Sequence, residues 1–149
     1  MSAHLGIQAA IVAALMAAPA VASGNVKVNT TRPVSAAFSQ AVVVRLVQSR
    51  ANTPQILGGP YDWMTQVQVE CLARAASGGA DPMAAVDALL EAVWQRLSTV
   101  SPAGLGAIDV RMQPAIDWQL DDGETPVVAA VINLTVNHRT TSTTLAAWT

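Results

Sequence analysis

The chain has 149 residues, the size of one ordinary domain, and only 12% of them are charged, about half the usual share in a soluble domain. The net charge is −2 and no run of either sign occurs, which excludes the basic surface that nucleic-acid-binding proteins need. Because a monomer so poor in charge would expose large apolar areas to water, this composition predicts a subunit of an oligomer or of a larger assembly.

The first segment of the chain allows two interpretations with opposite consequences. Residues 9–24, AAIVAALMAAPAVASG, are apolar and contain an A-x-A pattern at residues 20–22, as in the cleavage site of a secretory signal peptide. A signal peptide also needs a positively charged start, yet residues 1–24 contain no Lys or Arg. The run is also too short to span a bilayer, which takes about 20 residues. We therefore predict a folded helix over residues 1–18, capped by Ser2 and ending before Pro19. Its apolar stripe would comprise Leu5, Ile11, Val12, Leu15 and Met16.

The next part of the chain has the character of strands. Val26–Val28 is a short strand candidate, and residues 41–48, AVVVRLVQ, are apolar on both alternating faces, as in a strand covered on each side. Residues 49–60, SRANTPQILGGP, contain two prolines and a Gly pair, which predicts a long contact loop. Residues 63–71, WMTQVQVEC, alternate closely and predict a half-buried strand whose apolar face runs from Trp63 to Cys71.

A strong amphipathic helix follows. Asp81 suits the N-cap and Pro82 the first helical position, where its missing N–H costs nothing. The apolar positions recur at helical spacing as far as Leu97, and Pro102 and Gly104 lie beyond the end. These positions are Val86, Leu89, Leu90, Val93, Trp94 and Leu97.

The last third of the chain predicts a long hairpin and a tail. Residues 116–120 and 127–136 alternate, and the turn between them is Asp121-Asp122-Gly123-Glu124. A polar and then apolar tail, residues 140–149, ends beside Trp148, which suits either a frayed end or an anchor on a neighbour. The element order predicts one α+β domain over residues 1–149, with a mainly antiparallel sheet and two main helices packed on one face. Trp63, Trp94 and Trp118 would lie in its core.

No pattern in the sequence indicates catalysis, a cofactor or a metal. Cys71 lies on an apolar strand face and is expected to be a buried, inert thiol; as the single cysteine, it excludes an internal disulfide. His4 and His138 are far apart in sequence, and His138 is expected at a strand end on the sheet edge. The acidic turn lacks the ligand count of a calcium loop. We therefore predict a protein that is not an enzyme.

The element order, with the segments YDWMTQVQVEC and DPMAAVDALLEAVWQRL at its centre, resembles the tail terminator proteins of long-tailed bacteriophages (minor tail protein U-like, tail completion). The resemblance extends from about His4 to Arg139. It implies a fold like that of tail-tube subunits and a hexameric ring that stops polymerisation of the tail tube. It further implies a virion protein at the head-proximal end of the tail, assembled in the host cytoplasm. Its partners would be copies of itself, the tail tube protein and the head–tail connector or neck protein, while DNA passes through without sequence-specific binding and no membrane is involved.

Three exposed segments are the candidates for contacts outside the core. They are the loop from Gln55 to Tyr61, the hairpin tip, which would face a lumen or an axial partner, and the tail from Thr140 to Thr149. The candidate residues are Gln55, Ile56, Leu57, Tyr61, Asp121, Asp122, Glu124, Leu145 and Trp148.

Other interpretations of the sequence remain open. The chain could be another head–tail joining or tail-tube protein, a small soluble enzyme or ligand-binding domain, or a secreted protein whose mature form begins near Ser23. A stable ring would favour the tail terminator, whereas a monomer of 15.4 kDa would contradict it.

Overall fold

A computed structural model of the chain describes residues 1–30, 37–52, 57–75, 81–121 and 126–148. Within these ranges the architecture is α+β, as predicted, with a five-stranded sheet and two helices on one of its faces. In chain order the elements are α1 (Ala3–Met16), β1 (Val26–Val28), β2 (Gln40–Ala51), β3 (Tyr61–Arg74), α2 (Pro82–Ser98), β4 (Asp109–Asp121) and β5 (Val127–Thr140).

The strands lie in the order β1-β2-β3-β5-β4. The short β1 runs parallel to β2, and every other neighbouring pair is antiparallel. The C-terminal strand β5 is therefore an interior strand, paired with β3 along its whole length and with β4 on its other side. This arrangement leaves β1, part of β2 and β4 at the two edges of the sheet.

The core lies between the helices and one face of the sheet. The close alternation predicted for β3 is confirmed, because Thr65, Val67, Val69 and Cys71 are fully buried while the residues between them are partly exposed. The inward positions of strand β5 meet those of β3 directly across the ladder, although both faces of β5 are buried from Val128 to Ile132. Apolar side chains on both strands therefore form one continuous floor beneath the helices. Its β5 members are Val128, Ala130, Ile132, Leu134 and Val136.

Helix α1 packs against this floor on a stripe that matches the predicted one only in part. Ser2 caps it as expected, its hydroxyl accepting from the Leu5 amide at 3.4 Å. Ile11 and Leu15 are buried as predicted, together with Ile7, whereas Leu5 and Met16 are exposed. Alanine and other apolar residues occur on all sides of α1, so its sequence only weakly determines which side faces the sheet. Contact with the sheet decides the rotation of the helix about its axis.

Helix α2 follows the prediction closely. The Asp81 carboxylate accepts from the Met83 amide at 2.9 Å, and Pro82 begins the helix. Its apolar face is buried, apart from Trp94, which is partly buried against the core. On its other side Arg96 donates to the carbonyl oxygens of Ala14, Ala17 and Pro19, at 3.0, 2.8 and 2.9 Å. The Arg96 guanidinium therefore supplies hydrogen-bond donors to carbonyl groups at the C-terminal end of α1, and it links the two helices.

The four long strands β2–β5 all extend beyond their predicted ranges, and two of them contain an irregularity. Strand β2 continues to Ala51 through an irregularity between Leu46 and Gln48, so the loop begins at Asn52 rather than at residue 49. Strand β4 begins at Asp109, and its pairing with β5 shifts between Met112 and Ile116. Pro114 lies in that irregularity. Proline has no backbone N–H to donate to a regular ladder, and it is tolerated here because the ladder is interrupted at this point. Both breaks interrupt the period-two pattern from which strands are predicted.

Candidate functional site

The outer edge of the sheet at β4 is the most exposed apolar part of the fold. Ile116 packs against the core, but Trp118 is 45% exposed and Leu120 is 53% exposed. Helix α2 packs over β3 and β5 and leaves the second half of β4 uncovered. The prediction that Trp118 lies in the core was therefore wrong. This half of the strand offers water both apolar side chains and the unpaired backbone groups of an edge.

The opposite edge is formed by β1 and β2. The short β1 pairs only with Val42–Val44, so among the described residues no strand covers β2 from Arg45 to Ala51. Val47, at the irregularity of this stretch, is 57% exposed. Over the described part of the chain, the sheet thus has a free backbone edge on each side, which natural monomers usually shorten, twist or cover.

The predicted contact residues fall into different surroundings. Leu57 is fully exposed in the loop before β3, and Tyr61 is half-buried at the start of β3 with its ring 6.4 Å from that of Trp63. Asp121 is exposed at the end of β4. Four further candidate residues lie outside the described part of the chain: Gln55, Ile56, Asp122 and Glu124.

The C-terminal segment folds back on its own chain. Ala147 forms a bridge with Thr140, and the Trp148 amide donates to the Arg139 carbonyl at 3.0 Å. The Leu145 carbonyl accepts from the Ala3 amide at 2.7 Å, so the tail also holds the start of α1. The side chains of Leu145 and Trp148 stay about half exposed. The tail therefore has a defined path and still presents two apolar side chains.

Beneath this corner lies a histidine cluster that the sequence did not reveal. The ring centroids of His4 and His138 are 4.7 Å apart, and that of His4 is 4.9 Å from Trp63. His138 Nε2 lies 2.9 Å from Thr65 Oγ1, which lies 2.9 Å from Ser49 Oγ. The expectation that His138 lies at the sheet edge was wrong, because β5 is an interior strand and the His138 side chain is fully buried.

Burial sets the protonation state of this cluster. It lowers the pKa of His138 to about 4, helped by the charge of neighbouring His4, and it also lowers the pKa of His4. Both rings are therefore neutral near pH 7. Within the described part of the chain, His138 Nδ1 is buried without a hydrogen-bond partner. At the surface nearby, a bidentate ion pair with Arg139 lowers the pKa of Asp62.

The contact between His138 and Thr65 has the form of a base beside a hydroxyl nucleophile, yet its surroundings do not suit catalysis. Thr65 and His138 are both fully buried, so a substrate could not reach the hydroxyl. Cys71 is buried too, and its pKa is raised to about 12, mainly by burial, which confirms the predicted inert thiol. Among the described residues no group of three or more His, Cys, Asp or Glu side chains could hold a metal ion.

A shallow groove of small residues lies between the 3-10 turn Val21–Gly24 and α2. Ala88 and Ala92 line it, and its one charged side chain is Arg96, whose donors already bind the backbone of α1 and the following turn. The groove therefore lacks converging groups for chemistry.

No helix in the described residues is long and apolar enough to cross a membrane. No protein-family model matches the chain, and no curated protein sequence matches it.

Proposed function

We propose that this chain is a structural subunit that assembles with copies of itself into a closed ring, and that the ring terminates a bacteriophage tail tube and joins it to the head-side connector. The observation that carries the proposal is the pair of free sheet edges in a chain with only 12% charged residues. Edges that lie on opposite sides of a subunit suit a head-to-tail contact, which forms a ring when successive rotations close.

The surface supports assembly rather than catalysis. Trp118 and Leu120 on one edge strand are about half exposed, and aromatic and aliphatic side chains of this kind commonly anchor protein interfaces. The histidine–hydroxyl contact between His138 and Thr65 is fully buried. The assignment to a phage tail comes from the resemblance of element order, and a hexameric ring is the form that this resemblance implies.

Two experiments test the proposal at different levels. Native mass spectrometry and negative-stain electron microscopy of the purified chain should show a ring whose mass is a multiple of 15.4 kDa. Electron microscopy of phage particles that lack this protein should show overlong tails without heads. A purified chain that stays a monomer would contradict the ring. A ring that polymerises into long tubes would instead identify a tail-tube protein.

A further inference from the structure

The two free edge stretches of the sheet carry opposite charges. The uncovered part of β2, residues 45–51 (RLVQSRA), contains Arg45 and Arg50 and no acidic residue. The second half of β4, residues 116–121 (IDWQLD), contains Asp117 and Asp121 and no basic residue. We call these stretches the basic edge and the acidic edge. They have nearly equal lengths and lie on opposite sides of one subunit.

The four charged residues also share one face of the sheet. Arg45 alternates with the buried Val44, and Arg50 stands opposite Met64, which points away from the core. Asp117 and Asp121 stand opposite Val131 and Val127, which alternate with the inward positions of β5. All four therefore lie on the face away from the helices. Two such edges placed side by side bring acidic and basic side chains together on the same surface.

We propose that the acidic edge of one copy pairs as an antiparallel strand with the basic edge of the next copy. Strand β4 runs opposite to β2 within the sheet, so a continuous sheet across two copies would place them antiparallel. Backbone hydrogen bonds would supply the general attraction, and the charges would select the register. This inference rests on the self-assembly proposed above and names the surface that performs it.

The irregularity in β2 allows both charge pairs to form in one register. We start from Asp117 opposite Arg50. From that pair, each step forward along β4 matches one step backward along β2, because the strands are antiparallel. Within its own sheet, β2 has one extra residue, Val47, between Leu46 and Gln48. Passing over Val47 in the same way places Asp121 opposite Arg45. The intermediate pairs are Trp118 with Ser49, Gln119 with Gln48, and Leu120 with Leu46.

The same register covers apolar surface on the helix side. Leu120 would lie against Leu46, which is packed at the margin of the core, and Trp118 would lie beside the neighbour's β2. Arg45 already contacts Glu70 and the Thr30 carbonyl, so its charge is partly satisfied within the subunit. Within the described residues neither Asp117 nor Arg50 has an ion-pair partner. The pair Asp117–Arg50 is therefore the sharper one to test.

Charge reversal and mixing test the interface. The Asp117→Arg and Arg50→Asp variants should each weaken association by roughly tenfold or more, since each places like charges opposite one another. An equal mixture of the two variants should assemble, because every contact between unlike variants again joins opposite charges. Light scattering at matched concentrations measures the mass of the assembly in each variant and in the mixture.

A matched control and the alternative outcomes complete this test. Asp87→Arg makes the same change of charge on the exposed side of α2 and should leave the assembly mass unchanged. A wild-type ring that both edge variants leave intact would overturn the interface and leave the ring standing. A monomeric wild-type chain would overturn the ring itself. If only Asp117→Arg weakened assembly, the acidic edge would have a partner other than the basic edge, and the proposed pairing would be wrong.

Disulfide cross-linking tests the register without depending on charge. The double variant Gln48→Cys with Gln119→Cys should give a ladder of covalent multimers on oxidation, because directly opposed antiparallel residues have Cα atoms about 4.5–5.5 Å apart. Within one subunit these positions are three strand spacings apart across the sheet, about 14 Å, and are also offset by six residues along the strands, too far for a disulfide. Cys71 is buried and does not compete. The control pair Gln48→Cys with Arg111→Cys lies out of register and should give no ladder; equal cross-linking of both pairs would overturn the register.

Discussion

At the scale of single residues, the histidine cluster shows how tertiary contact changes the chemistry of a side chain. His4 and His138 stand at opposite ends of the chain, and the structure brings their rings within 4.7 Å. In the sequence His138 continues the alternating row of Ile132, Leu134 and Val136, and in the structure all four lie on the inward face. This alternation could not reveal that β5 lies between β3 and β4, because strand order is a property of the sheet and not of one strand. By contrast, the Asp81 cap and the inert Cys71 were predictable, since each depends on its immediate sequence neighbours.

The free energy of unfolding should decrease as the pH is lowered, because burial keeps His138 neutral in the folded chain. Its pKa is about 4 when folded and about 6.5 when unfolded, so the unfolded chain binds more protons between these values. The free energy of unfolding should therefore be constant above pH 6.5 and decrease by up to about 3 kcal/mol as the pH falls toward 4. Urea unfolding from pH 7.5 to 4.5 measures this loss. His138→Gln should remove most of it, and an unchanged slope in that variant would contradict the assignment.

Arg96 should contribute to stability through the backbone rather than through an ion pair. Arg96→Met removes donors from three carbonyl oxygens at the end of α1, and we expect a loss of about 1–3 kcal/mol in the free energy of unfolding. Arg111→Met is the matched control, because Arg111 is well exposed and forms an ion pair with Asp109 at the surface. Its effect should be within about 0.5 kcal/mol. Equal midpoints of urea unfolding for the two variants would show that the contacts of Arg96 carry no special weight.

At the scale of elements, β4 separates the two roles of apolar residues. Its alternation correctly predicted that Ile116, Trp118 and Leu120 share one face, but α2 covers only part of that face. The alternating pattern of a strand predicts which residues share one face of the sheet. The length and position of the packed helix decide which of them are buried.

The exposed pair on β4 should matter for association more than for folding. Trp118→Ser with Leu120→Ser should lower the free energy of unfolding of the isolated subunit by about 2 kcal/mol for the two side chains together, because each is about half exposed. Ile132→Ala, on the covered part of the sheet, should cost about 2–5 kcal/mol. Urea unfolding at high dilution measures stability, and light scattering at higher concentration measures association. A large loss of stability in the Ser variant would mean that these side chains serve the core.

At the scale of the whole molecule, the proposed assembly extends one sheet from subunit to subunit. Its formation should be visible in tryptophan fluorescence, because the interface would cover Trp118, while Trp63 and Trp94 are already partly buried. Dilution that separates the ring should shift the emission to longer wavelength. Trp118→Phe should keep the ring and lose most of this shift. The same shift in that variant would place the change at another tryptophan.

The sequence by itself determined the local features of this protein: the α+β class, the order of the elements, the two helix N-caps and the inward face of β3. These follow from side-chain period and from backbone groups a few residues away, so short segments contain enough information. The tertiary structure alone decided the rotation of α1, the interior position of β5, the meeting of the two histidines and the exposure of Trp118. Each of these depends on which distant segment covers a surface, and that choice is made by the packing of the whole chain.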